Sequence, residues 1–118
     1  IVLAIIEAMA FRFRLIHDFL RHDVAIPSTI VASGGALENS KYLVKVMSDM
    51  LGLEVLVPES KQLTSRGTAV LALKYSGLWK SFDDVLPVIG HRVEPDMQVN
   101  EIYLDSMSQH KALYEMLI

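Results

Sequence analysis

One stretch constrains this chain more than any other: a β-branched run that ends on a serine and two adjacent glycines and passes at once into a helical pattern. It reads Ile30-Val31-Ala32-Ser33-Gly34-Gly35-Ala36-Leu37-Glu38-Asn39. A strand that turns into a helix over glycines leaves backbone N–H groups pointing out of a sheet edge, where a phosphate or another anion fits. A second strand pattern, Glu54-Val55-Leu56-Val57, follows that helix and stops at Pro58. Strand, helix and strand with short links form a βαβ unit, so the two strands are expected to be parallel with a right-handed crossover. The fold class is α/β.

Flanking helices complete the pattern. Residues 1–22 hold strong helix formers without proline or glycine. Their apolar positions nearly encircle the first turns and then narrow to Phe11, Leu15, Ile16, Phe19 and Leu20, so the first turns are expected to be buried on several sides. Glu7 lies in that apolar section and needs a partner if buried, which makes it a satisfied structural residue before a site residue. Asp23 to Ser28 reads as a connection and Thr29 to Ala32 as a short buried strand. The central helix is capped at Asn39 or Ser40, or begins as early as Ala36. It presents Leu43, Val46, Met47, Met50 and Leu51 on one face and ends at Gly52. A third helix is expected over 62–76, capped at Thr64 or Ser65 and ended by Gly77. Its small face of Gly67, Thr68, Ala69 and Ala72 suits close packing. Residues 78–100 read as irregular, with a helical turn over 82–86, and a final amphipathic helix starts near Glu101.

Composition narrows the function classes. The 118 residues are one domain or part of one, and 52% of them are hydrophobic, with a mean hydropathy of +0.34. That is apolar for so small a chain. Together with a start at Ile1-Val2-Leu3 inside a helical pattern, it leads us to expect a piece of a longer protein whose other parts cover apolar faces. A net charge of −3 without a basic run argues against nucleic acid as a partner. The absence of cysteine excludes disulfides and cysteine-ligated metal. Glu7, Arg12, Arg14, His17 and Asp18 interrupt the one stretch long enough to span a membrane, so no membrane partner is expected.

Catalytic motifs are few. Ser33 sits at a strand-to-helix turn, but Val31 occupies the place where a nucleophile elbow needs glycine. The spaced glycines of a dinucleotide fingerprint and the lysine of a phosphate loop are missing. His17, His22, His91 and His110 are scattered, and Asp83-Asp84 and Glu94-Pro95-Asp96 read as turn residues rather than magnesium ligands. By itself the double glycine is more often a tight turn than an anion site.

Four ordered segments change its standing. Ala4-Ile5-Ile6-Glu7-Ala8-Met9-Ala10-Phe11 resembles a helix of the type A-x-x-E-G-x-A-F. Ala32-Ser33-Gly34-Gly35-Ala36-Leu37-Glu38-Asn39 resembles an adenosine-binding G-G-A-x-x-N motif. Met47-Ser48-Asp49-Met50-Leu51-Gly52 with Val55 resembles A-D-x-L-G-x-x-V, and Ser65-Arg66-Gly67-Thr68-Ala69-Val70-Leu71-Ala72 resembles R-G-A-A-x-L-A. In that order they resemble the C-terminal region of the FGGY carbohydrate kinases, the family of gluconate, xylulose and glycerol kinases. The Ser33-Gly34-Gly35 and Ser65-Arg66-Gly67 segments lean toward the gluconate or xylulose branch. Ala8 and Thr68 depart from the pattern, each by a small change.

The resemblance implies part of an actin-like, ribonuclease-H-like ATPase domain. Residues 1–118 would be a partial C-terminal domain, with the N-terminal sugar-binding domain absent. It implies that Gly34 and Gly35 approach the phosphates of ATP through their backbone while Ala36 and Asn39 line the adenosine side. The partners implied for the parent are ATP, Mg²⁺ and a small sugar or sugar acid. The family's catalytic aspartate and its phosphate loops lie upstream of this region, so no catalytic residue is assigned here and the chain alone is expected to be inactive. It is also expected to self-associate through uncovered apolar faces. Two rivals stand beside this reading: a non-catalytic, kinase-derived regulatory module, and a structural βαβ domain whose glycines only turn the chain.

Overall fold

A computed structural model of the chain describes residues 1–23, 29–59, 62–82 and 88–117. The expected connection beyond Asp23, most of the turn over 82–86 and Asp83-Asp84 lie outside the described residues. Helix α1 covers Val2–Leu20, strand β1 Thr29–Val31, helices α2 and α3 Gly35–Asn39 and Lys41–Leu51, and strand β2 Glu54–Pro58. Helix α4 covers Leu63–Tyr75, strand β3 Ile89–Val93 and helix α5 Met97–Leu117. The sheet order is β1-β2-β3. β1 and β2 run parallel, Ile30 opposite Val55, as the βαβ pattern requires. β3 adds an antiparallel edge strand, Val93 opposite Val55.

Helix α3 is the centre of the packing. Its Leu43, Val46, Met47 and Met50 are buried with Ala10 of α1, and Ile6, Phe11 and Tyr103 pack against that cluster. Its Val44 faces the other way and is buried with Ala32, Val55 and Val57 of the sheet. One helix therefore separates the sheet from two long helices. Burying Met50 completely makes truncation there costly, about 2–5 kcal/mol for a buried Met→Ala change.

The central helical stretch is two helices. Ser40 adopts an extended backbone (φ −123°, ψ 91°), which breaks the ladder, and its Oγ accepts from the Leu43 N–H at 3.2 Å. Both expected starts are thus present: one after the glycines, one capped by Ser40. At the other end all four terminal carbonyls of α3 find partners. Ser48 O accepts from the Gly52 N–H at 2.9 Å. Asp49 O accepts from Asn100 Nδ2 at 2.6 Å, Met50 O from Arg14 Nη1 at 3.1 Å and Leu51 O from the same nitrogen at 3.5 Å. Gly52 closes the helix with φ +67°, and a Cβ there would lie 3.2 Å from Asn100 Nδ2. The buried Asp49 carboxylate is also held, by Lys45 Nζ and by the Asp96 N–H at 2.7 Å.

Several expectations are corrected. The first turns of α1 are not enclosed: Ile1, Val2, Leu3, Ile5 and Met9 are exposed, because among the described residues α1 is packed on one face only. The strand β1 is half-buried and its Val31 exposed. Residues 78–100 are not irregular throughout, since they hold β3 and the start of α5. That helix begins at Met97 because Asp96 Oδ1 accepts from the Gln98 N–H at 2.9 Å, the capping role its turn position suggests. Helix α4 has no side-chain cap at Thr64 or Ser65, and its small face of Gly67, Thr68, Ala69 and Ala72 is exposed rather than packed. The radius of gyration is 16.9 Å against about 13 Å for a closed 100-residue domain, as the uncovered helices require.

The α3 terminus yields a stability prediction. Gly52→Ala should cost about 1–2 kcal/mol from the left-handed backbone alone. Asn100→Ala should cost about 1–3 kcal/mol by stripping the Asp49 carbonyl of its donor. Because the two residues touch, the double variant should lose less than the sum, which urea unfolding followed by circular dichroism measures.

Candidate functional site

In a sheet with parallel strands, ligands bind beyond the carboxyl ends of the strands. Here that edge holds the Ser33-Gly34-Gly35 turn after β1 and Glu59 after β2. Gly34 lies at φ 110°, ψ 150°, a region open essentially to glycine, and it starts α2. Gly35 differs: its backbone needs no glycine, and an added Cβ would meet only Asn39 Nδ2, at 4.0 Å. The fold therefore explains Gly34 and leaves Gly35 without a structural reason.

Three of the four residues singled out as nucleotide contacts lie on this one short helix, and the fourth, Gly34, caps its start. Gly34, Gly35, Ala36 and Asn39 are exposed. Asn39 ends α2, and its Nδ2 donates to Gly35 O at 2.6 Å, which ties the last residue of the helix to its first. Glu38 Oε1 accepts from the Gly34 N–H at 3.1 Å. A carboxylate oxygen thus sits on the amide that the glycine turn presents, so that N–H takes an anionic acceptor. α2 spans only five residues, so its dipole is a short one.

Beside the turn opens a pocket of about 370 Å³ lined by Glu38, Asn39, Val57, Pro58, Glu59, Gly90 and His91. Its volume is within the range of small-molecule sites, ~300–1,000 Å³. Of the expected contacts only Asn39 lines it; Gly34, Gly35 and Ala36 stand outside. The residues that sequence reasoning missed are Glu38, Glu59, Gly90 and His91. Gly90 and His91 could not be joined to the site without β3, whose only apolar residues are its ends, Ile89 and Val93.

Glu7 is half-buried on α1 beside Tyr103 of α5. Burial raises the Tyr103 hydroxyl above its ordinary 10.0, and the charges of Glu7, Tyr42 and Asp49 add to the rise. Glu7 therefore belongs to the helix packing and not to the pocket. Among the described residues no group of three or more His, Asp or Glu side chains could hold a metal ion. No step is assigned to Mg²⁺ here. No described helix is long and apolar enough to cross a membrane.

Comparison with known proteins agrees over most of the chain. Residues 1–75 match the C-terminal domain of the FGGY family of carbohydrate kinases. A glycerol kinase from Stenotrophomonas maltophilia (strain K279a) is 36% identical over 101 residues, 83% of this chain and 20% of that protein. Glycerol kinase 5 from Gallus gallus is 33% identical over 79 residues, 67% of this chain and 15% of that protein. The chain thus spans no more than about a fifth of these curated relatives. Among solved structures, a xylulose kinase from Rhodospirillum rubrum superposes with a TM-score of 0.80 at 29% identity, covering 97% of this chain and 24% of that one. Plasmodium falciparum glycerol kinase with ADP superposes with a TM-score of 0.74 at 27% identity, covering all of this chain and 24% of that one. These kinases share the actin-like ATPase fold, and the α/β arrangement seen here is a portion of it.

The Tyr103 environment makes a testable claim. Its ionisation should fall above 10.0, and Glu7→Gln should bring it part of the way back, because burial remains. A tyrosine whose folded pKa is raised stabilises the fold below its unfolded value. That contribution is lost as pH rises through the folded value. Tyrosine ring shifts followed by NMR against pH, with Tyr103→Phe to assign the signal, test it.

Proposed function

Because the chain belongs to the FGGY family of carbohydrate kinases, we propose that it is the nucleotide-binding portion of the C-terminal domain of an ATP-dependent kinase. The parent transfers the γ-phosphate to a hydroxyl of a small carbohydrate. The glycerol kinases among the relatives widen the acceptor from a sugar or sugar acid to a small polyol. The reading is carried by the Gly-Gly-Ala…Asn motif at the carboxyl edge of the parallel strands, beside a pocket that Asn39 lines. Gly34 and Gly35 receive the phosphates through their N–H groups, where Gly35 lacks the Cβ that would hold a ligand away. Ala36 and Asn39 face the nucleoside. For a phosphate to reach the Gly34 N–H, the Glu38 carboxylate must leave it.

Phosphoryl transfer depends on positioning and on neutralising charge along the transferred group. This chain contributes one wall of such a site. The catalytic aspartate, the remaining phosphate contacts and the sugar contacts belong to the rest of the parent, which acts in the cytoplasm with Mg²⁺ carried on the nucleotide phosphates. A kinase-derived regulator would keep this wall and lose those aspartates.

Two substitutions separate a ligand role from a folding role. Gly35→Val should leave the fold intact, since an added Cβ there meets only Asn39 Nδ2 at 4.0 Å on an exposed helix, and should weaken ATP binding by at least about tenfold. Glu38→Ala should strengthen it several-fold by removing a competing anion. Undiminished binding by Gly35→Val would favour the purely structural reading of the glycines. The chain alone should phosphorylate no carbohydrate. It should also self-associate in light scattering through Ile1, Val2, Leu3 and Leu117, all exposed. Turnover by this chain, or a clean monomer at high concentration, would count against the two halves of that expectation.

A further inference from the structure

Two side chains of the pocket, Glu59 and His91, are brought there by an irregularity in β3. The pairing runs Val57 to His91 and then Pro58 to Ile89, so Gly90 is an extra residue, a β-bulge. A Cβ on Gly90 would lie 3.1 Å from the Glu59 backbone, so glycine lets β3 close on that residue, whose N–H donates to Val88 O at 2.9 Å. The bulge thereby sets Glu59 and His91 around the same cavity as Asn39 at the end of α2. Among the described residues neither the Glu59 carboxylate nor the His91 imidazole has a hydrogen bond or an ion pair. Glu38 spends one oxygen on the Gly34 N–H and keeps the other. Val57 and Pro58 supply the apolar part of the lining.

This chemistry sorts the parts of a nucleotide. Two carboxylates repel phosphates and accept hydrogen bonds from hydroxyls, and a carboxylate bonded to ribose hydroxyls is a recurrent solution in nucleotide sites. The glycine turn and Asn39 are about one helical turn apart, ~5.4 Å, a step that suits a nucleotide whose ribose follows its α-phosphate. We infer that Glu59 is a nucleoside-specificity residue, its carboxylate accepting the ribose 2′- and 3′-hydroxyls while His91 borders the base. The inference rests on the nucleotide reading of the Gly34–Gly35 turn. It adds a wall built by β3, which lies beyond the matched residues 1–75.

NMR of the isotope-labelled full chain tests it, because amide shifts register millimolar binding. ADP should shift the amides of Glu59, Gly90 and His91 together with Gly34 and Gly35, whereas inorganic pyrophosphate should shift only the glycine turn. Glu59→Gln is an exposed, isosteric change whose amide spectrum reports an unchanged fold. It should weaken ADP binding about tenfold and abolish the preference for ADP over 2′,3′-dideoxy-ADP. If ADP and pyrophosphate move the glycine turn alike while Glu59 and His91 stay still, or if Glu59→Gln binds ADP as before, the ribose assignment is overturned and the phosphate reading stands. If neither probe moves any amide, the phosphate reading fails and takes the ribose assignment with it.

Discussion

The last four carbonyls of α3 are the constraint on which the rest of this structure depends. A helix end in the interior must hand its unpaired carbonyls to partners, and here the partners come from every side. The Gly52 turn takes one internally, Arg14 reaches over from α1, and Asn100 reaches over from α5. These bonds fix where α1 and α5 lie along α3. The apolar cluster of Ala10, Leu43, Val46, Met47 and Met50 then fills the space between them. The same terminus launches β2, and Ser48 Oγ bridges to the Leu53 and Val93 carbonyls at 2.9 and 3.0 Å. Helices and sheet are thus registered at one place.

The candidate site stands at the opposite end of α3, and its physics is different. α2 carries no buried residue, and its side-chain bonds, Glu38 to Gly34 and Asn39 to Gly35, stay within the helix. Ser40 breaks the ladder between it and α3, so α2 is exposed while the helix that follows is locked. A short exposed element on a packed scaffold is the arrangement in which binding segments are commonly found, and the proposed nucleotide contacts fall on it. The glycines repeat the division at finer scale, since Gly34 is demanded by its backbone and Gly35 by nothing in the fold.

The periodic parts of the chain were legible because their signals are local. The core face of α3, the Gly52 stop and the parallel pairing of β1 with β2 follow from spacing and turn chemistry, and all are present. The motif residues were legible only through their order among four segments, since a lone Gly-Gly is weak. β3 was not legible: Gly90, His91 and Arg92 between two apolar ends do not alternate, and an antiparallel edge strand exists only where a partner accepts it. The small face of α4 illustrates the converse. Its residues permit close packing, yet nothing among the described residues packs there.

By itself the sequence determined the α/β class, the βαβ unit, the glycine turn at the strand edge and, through ordered motifs, the kinase family. Each of these is written in neighbouring residues or in fixed spacings. Only the tertiary structure decided that Ser40 splits the central helix, that Arg14 and Asn100 close α3, and that a bulge at Gly90 sets Glu59 and His91 beside Asn39. Those are contacts between residues far apart in the chain, selected by the need to satisfy buried polar groups and fill space. No local pattern encodes which distant partner will meet that need.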